Sequence, residues 1–93
     1  MDTDKIQMKI TLAVTTHNRP DLTYNSIKDV LDDKRIDEIL IVDDLSTEPN
    51  KNRLKELFSE DMIHWNSRNR GCYRNKQHAV FLASNPWVII LGS

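Results

Sequence analysis

The 93-residue sequence is short of the residues that carry the commonest special chemistries, and each shortage excludes something. A single cysteine, Cys72, rules out an internal disulfide and fits a reducing compartment. Glycine occurs only at Gly71 and Gly92, so the glycine-rich first loop of a dinucleotide fold and the phosphate-cradling run ahead of a helix are both missing. No apolar run, Trp87–Leu91 included, approaches the ~20 residues of a membrane helix. Thirteen basic against fourteen acidic residues leave a net charge of −1, too thin a footprint for nucleic acid. The opening Met1–Lys5 is acidic and polar, unlike a secretory signal. Three scattered histidines and one cysteine give neither a zinc pattern nor a thiol nucleophile with its base, and Cys72 reads as a small buried apolar residue.

What is present is organised around Glu38–Ser46, four apolar residues running into Asp43, Asp44 and a hydroxyl. A short β-branched run of that kind reads as a strand covered on both faces, as in parallel sheets. Ligands of open α/β sheets bind at the C-terminal ends of such strands, where the acidic pair stands. Upstream, Met8–Thr15 places Ile10, Leu12 and Val14 at period two, a first strand. Pro20 and Asp21 open a helix whose apolar face is Tyr24, Ile27, Val30 and Leu31.

Ser46 or Thr47 caps a second helix, with Pro49 in its first turn and Leu54, Leu57 and Phe58 as its stripe. Met62–Trp65 reads as a third strand, Cys72–Ser84 as a third helix, and Trp87–Leu91 as a fourth, buried strand, with Trp65 and Trp87 in the core. The expected fold is α/β: a three-layer, half-Rossmann-like parallel sheet, β-α-β-α-β-α-β, ordered 3-2-1-4. One domain over residues 1–93 is expected, with residues 1–8 a loose N-terminus. With no glycine-rich loop, any nucleotide bound by such a sheet must be held by side chains. The segment Ser67–His78 holds Arg68, Arg70, Arg74 and Lys76 and no acid, a cationic start to a helix suited to a diphosphate.

Three ordered motifs then carry a resemblance: Leu12–Pro20 (LAVTTHNRP), Ile39–Thr47 (ILIVDDLST), and Asn69-Arg70-Gly71 followed by Arg74-Asn75, Ala79 and Ala83. Together they resemble the N-terminal half of family 2 glycosyltransferases of the GT-A fold, over about Lys9–Ser93. The resemblance implies an inverting transfer from a nucleotide diphosphate sugar to a sugar or glycan acceptor, with a uridine diphosphate sugar the leading donor. It implies nucleotide-binding roles for Thr15, His17, Asp43, Asp44, Arg74 and Lys76. Thr15, His17 and Asp44 would hold the base, an ionised carboxylate suiting the imide N–H of uracil. Asp43 would fix the loop. Arg74, at the family's Arg-Asn position, is the first choice for the diphosphate and Lys76 the second.

Three departures bear on these roles. His17 stands where the family has an aromatic ring that stacks on the base. Leu45 replaces a glycine, which disfavours a left-handed turn. Gly92 occupies a position often taken by Asp, so the acids expected to hold a divalent metal, Mg or Mn, on the diphosphate of the full enzyme lie beyond residue 93.

The expectation is therefore the nucleotide-binding half of a cytoplasmic enzyme, inactive alone, the complete protein being cytoplasmic or membrane-peripheral. Its competitor is a non-catalytic module that self-associates or binds another chain through an open sheet edge. A receiver-like phosphoacceptor ranks last, because its acidic pocket spans the first and third strands and needs a lysine on a fifth.

Overall fold

The alternation of Leu12 and Val14 with Thr11, Ala13 and Thr15 sends successive side chains of the first strand to opposite faces of a sheet. The computed structural model, which describes residues 8–92, shows both faces covered. The expected loose N-terminus falls mostly on residues 1–7, outside the described residues; Met8 is exposed. Four strands, β1 (Ile10–Thr16), β2 (Glu38–Asp43), β3 (Ile63–Trp65) and β4 (Trp87–Gly92), form one all-parallel sheet in the order β3-β2-β1-β4. Three helices, α1 (Pro20–Ile27), α2 (Glu48–Leu57) and α3 (Cys72–Leu82), connect them. Fold class, element order and strand order agree with the sequence reading.

One face of the sheet packs Leu12, Val14 and Ile41 against Ile27 of α1 and Leu54 and Phe58 at the end of α2. Each side chain so buried contributes roughly 1.5–3 kcal/mol. The apolar stripe expected for the first helix keeps its direction although the α-helix ends at Ile27. A 3-10 turn, Lys28–Val30, continues it, so Tyr24, Val30 and Leu31 still reach the core. Tyr24 meets Phe58 edge to face at 5.6 Å. The opposite face is built from small residues: Ala13, Val42 and Ala79 bring α3 close to the sheet, with Leu40, Leu82, Val88 and Ile90 around them.

Two expectations are corrected at the edge of the sheet. β4 is half-buried, and on the α3 side only, through Val88 and Ile90; Trp87, Ile89 and Leu91 are 55%, 49% and 38% exposed. Period two places them on the face of α1 and α2, and those helices cover β1 and β2 but stop short of β4. Trp65, by contrast, is packed on the core and carries the Lys55 ammonium 5.8 Å above its ring. The exposed side chains of Val80 and Phe81 likewise turn away from the sheet.

At the N-terminal end of the strands Glu38 ties three segments together. Its carboxylate accepts from Thr11 Oγ1 (2.7 Å), Ser84 N (2.9 Å) and Ser84 Oγ (3.1 Å), which fixes the end of α3 over β1 and β2. Partial burial pushes the Glu38 pKa up, but the Ser84 N–H and the two hydroxyls outweigh it and hold it below 4.5. An acid depressed in the folded state stabilises fully above its unfolded pKa, and that contribution is lost as pH falls through the folded value. Glu38→Ala should therefore cost about 1–2 kcal/mol in urea unfolding at pH 7. Its gap from the wild type should narrow as pH is lowered below 4.5; a constant gap would assign the loss to packing.

Candidate functional site

β1 and β2 end side by side, Thr16 opposite Asp43, so the loops that follow them face one crevice. The chain delivers two carboxylates there, and both are buried: Asp43 is 0% and Asp44 4% exposed. A buried carboxylate is tolerated only where donors replace its water. Asp43 accepts from Ser46 N (3.0 Å) and from the Ser46 hydroxyl, closing the turn after β2. Asp44 accepts from Asn66 Nδ2 (3.0 Å), Arg70 N (2.7 Å) and Gly71 N (2.9 Å), binding the whole 66–71 loop down onto the end of β2. The pair thus folds two loops.

The turn between them is strained. Leu45 has φ +61°, a left-handed conformation that costs an L-residue about 1–2 kcal/mol. The sequence reading disfavoured that conformation without glycine; the chain adopts it because hydrogen bonds fix both flanks. On one side Ser46 is held by Asp43, and on the other Asp44 O accepts from His17 Nδ1 (2.8 Å) and Asn69 Nδ2 (3.4 Å).

The first loop is bound to the second by Asn18, itself at φ +55°. Its N–H donates to Ser46 Oγ (2.8 Å), and its side-chain oxygen accepts from Thr47 N (2.8 Å) and Asn50 Nδ2 (3.1 Å). This is how the α2 N-terminus is held: Thr47 precedes the helix, but its own side chain caps no backbone N–H. His17 is exposed, with Nδ1–H donating to Asp44 O, which leaves Nε2 to accept from Asn18 Nδ2 (3.3 Å).

Beneath the 66–71 loop lies a buried amide chain. Asn66 Nδ2 donates to Asn75 Oδ1 (2.7 Å), and Asn75 Nδ2 to Val42 O (3.3 Å), so α3 is registered on β2 by a polar contact inside an apolar layer. Asn18, Ser46, Asn66 and Asn75 are the organising residues that sequence reasoning missed. For Asn18, Ser46 and Asn66 the signal is a polar turn residue where an apolar run breaks, a pattern that turns share; Asn75 lies inside α3 and has no such signal.

The crevice holds a cavity of about 230 Å³ lined by residues of the end of β1, the loops after β1, β2 and β3, and the start of α3, among them Thr15, His17, Asp44, Asn69 and Asn75. Thr15 is buried on its β1 wall, with Oγ1 3.5 Å from Leu91 O. Cys72 is a further correction: it is exposed, because it opens α3 at the cavity mouth. Lys76 is half-buried across the ends of β1 and β4. A side chain on Gly92 would meet its Cε at 2.6 Å and its Nζ at 3.0 Å, with Thr15 Oγ1 at 3.4 Å from the same point. Arg74 is not with Lys76; it lines a separate recess with Arg68, Asn69 and Arg70. Of the expected site residues, Thr15, His17 and Asp44 line the cavity; Asp43 is buried behind it in the turn, Lys76 stands at the neighbouring end of β4, and Arg74 lines the separate recess.

His64 and His78 meet edge to face at 5.3 Å behind this loop. Burial, the Arg70 charge and His64 together hold the His78 pKa below 6.5, against a smaller upward pull from Asp44. Among the described residues no three carboxylate, imidazole or thiol groups are clustered to hold a metal. Asp43 and Asp44 are instead committed to their loops.

A family model, Glycosyl transferase family 2, matches residues 11–93. The chain belongs to that family, and its sheet is the Rossmann-like half of the GT-A fold. The architecture is shared with the mannosyltransferase PcManGT from Pyrobaculum calidifontis, solved in complex with GDP-Man and Mn2+. The two superpose with a TM-score of 0.73 at 18% identity, over 94% of this chain and 28% of that one. The chain thus spans little more than a quarter of that protein. No curated protein sequence matches.

Glycine tolerates φ +61° without strain but loses more entropy on folding, which offsets part of the gain. Leu45→Gly should raise stability by about 0.5–1 kcal/mol in thermal or urea unfolding. A loss of stability would mean that the Leu45 side chain, and not the backbone, holds the turn.

Proposed function

We propose that this chain forms the donor-nucleotide side of an inverting glycosyl transfer from a nucleoside diphosphate sugar, with uridine as the nucleoside. The cavity at the ends of β1 and β2 carries the reading: it is walled by Thr15 and roofed by a loop that Asp44 pins. At about 230 Å³ it suits a pyrimidine nucleoside better than a whole nucleotide sugar, whose sugar must extend outside it. Asp44 keeps a role in base recognition alongside its structural one. A carboxylate has about four acceptor sites; protein donors take three, and the base imide N–H takes the remaining one. The exposed His17 ring offers a flat face to the base, and Asp43 fixes the turn that carries Asp44.

Lys76, rather than Arg74, is the cation for the diphosphate in this reading, because it lies against Gly92 and Thr15 where β1 and β4 end. A small residue at position 92 leaves its ammonium room to reach a phosphate. We place the ligands of the Mg or Mn of the complete enzyme outside the described residues, which cluster no three carboxylate, imidazole or thiol groups. The acceptor, a sugar or glycan, and the base that deprotonates it also belong to that complete enzyme, which we place in the cytoplasm or at a membrane surface.

A second reading rests on a specific observation. β4 is a sheet edge without charge or internal proline, and its Trp87, Ile89 and Leu91 are exposed, which invites pairing with another copy or chain. Sedimentation separates the two readings: mass that rises with concentration, without nucleotide binding, supports the second.

The direct test is calorimetric titration with uridine, UDP and GDP. UDP should bind more tightly than uridine and than GDP. Lys76→Ala should weaken UDP about tenfold or more, the cost of one charged hydrogen bond, and leave uridine unchanged. Equal effects on uridine and UDP would remove Lys76 from the diphosphate, and no binding of any nucleotide would overturn the reading.

A further inference from the structure

The nucleotide reading leaves three arginines unused. Arg68, Arg70 and Arg74 line one polar recess of about 150 Å³ with Asn69, next to the nucleotide cavity, which Asn69 also lines. Among the described residues none of the three forms an ion pair, whereas Arg35 and Arg53 both do. Arg70 Nε is shielded from solvent and donates to nothing, although a buried donor on a cation is costly without an acceptor. The recess adjoins the start of α3, whose first N–H groups and dipole favour an anion. Among the described residues no carboxylate accepts from these guanidinium groups; Asp44 accepts from Asn66 Nδ2 and from the backbone N–H groups of Arg70 and Gly71.

The recess also lies at the far end of the crevice from Lys76. Arg70 is anchored at the end of β2, next to β3, while Lys76 sits over β1 and β4. A donor whose diphosphate reaches Lys76 leaves the arginine recess open.

We infer that the recess formed by Arg68, Arg70 and Arg74 is a second, phosphate-binding site beside the nucleotide cavity. Planar guanidinium groups match phosphate oxygens in pairs, and a turn of the Arg70 side chain on binding brings its shielded Nε–H to the acceptor it lacks. The site itself does not depend on the nucleotide reading. The phosphate it takes belongs to a second, phosphate-bearing molecule, because the donor diphosphate is assigned to Lys76.

The test is an NMR titration of the 93-residue chain with inorganic phosphate, following the arginine Nε–H signals and the backbone amides of residues 68–74. Millimolar phosphate should shift the Arg70 Nε–H signal, while chloride at matched ionic strength should not. Replacing the two exposed arginines together, Arg68→Ala with Arg74→Ala, should weaken phosphate about tenfold or more with the amide spectrum otherwise retained. UDP is then titrated into the phosphate-loaded chain. Simultaneous occupancy upholds a second site, and displacement of phosphate by UDP would overturn it. Equal shifts with chloride and phosphate, or phosphate affinity unchanged in the double variant, would overturn the site. Phosphate binding without any nucleotide binding would uphold it and overturn only the nucleotide reading.

Discussion

Two adjacent carboxylates carried out of water at the end of β2 are the constraint on which the crevice depends. Removing such groups from solvent costs several kcal/mol each unless donors take the place of water. Asp43 finds its donors in the turn immediately after it, whereas Asp44 finds them more than twenty residues later, in Asn66, Arg70 and Gly71. Local structure and long-range structure are therefore fixed by neighbouring residues of the same kind. The strained Leu45 between them is the local cost of pointing the two side chains at different loops.

From that anchor the rest of the crevice follows in order. The 66–71 loop, once pinned, sets Asn66 over Asn75, and Asn75 registers α3 on β2. α3 then carries Lys76 to the ends of β1 and β4 and Arg74 into the recess beside Arg70. Asn18 completes the frame by tying the first loop to Ser46 and Thr47. This family 2 chain thus shapes its crevice through backbone N–H groups and amides, with two glycines in its whole length.

The elements were legible because each strand and helix declares a period. Ile10, Leu12 and Val14 alternate, the 39–42 run is apolar throughout, and Pro20, Pro49 and Pro86 punctuate the segments. The acidic pair was legible as the end of a strand, and the motifs around it as a family. The destination of each side chain was not. Nothing local distinguishes an Asp44 that binds a distant loop from one that caps the next helix; Arg74 and Lys76, two apart on a helix, had to face different ways, but which of them meets the crevice is set by how α3 packs. The exposure of Trp87 escaped for a related reason: an apolar strand reads as buried, and only the placement of α1 and α2 reveals that one face of β4 has no cover. Cys72 escaped in the same way, its exposure being set by where α3 begins.

Amide hydrogen exchange in an Asp44→Ala variant tests most directly whether this carboxylate holds the crevice together. The account predicts that the Arg70 amide, whose acceptor is removed, loses protection by about tenfold or more, and that the Gly71 amide, left with Asn69 Oδ1, loses less, while Ser46, held by Asp43, keeps its own. Unchanged protection at Arg70 and Gly71 would contradict it, and would place the organising force in the packing of α3 instead.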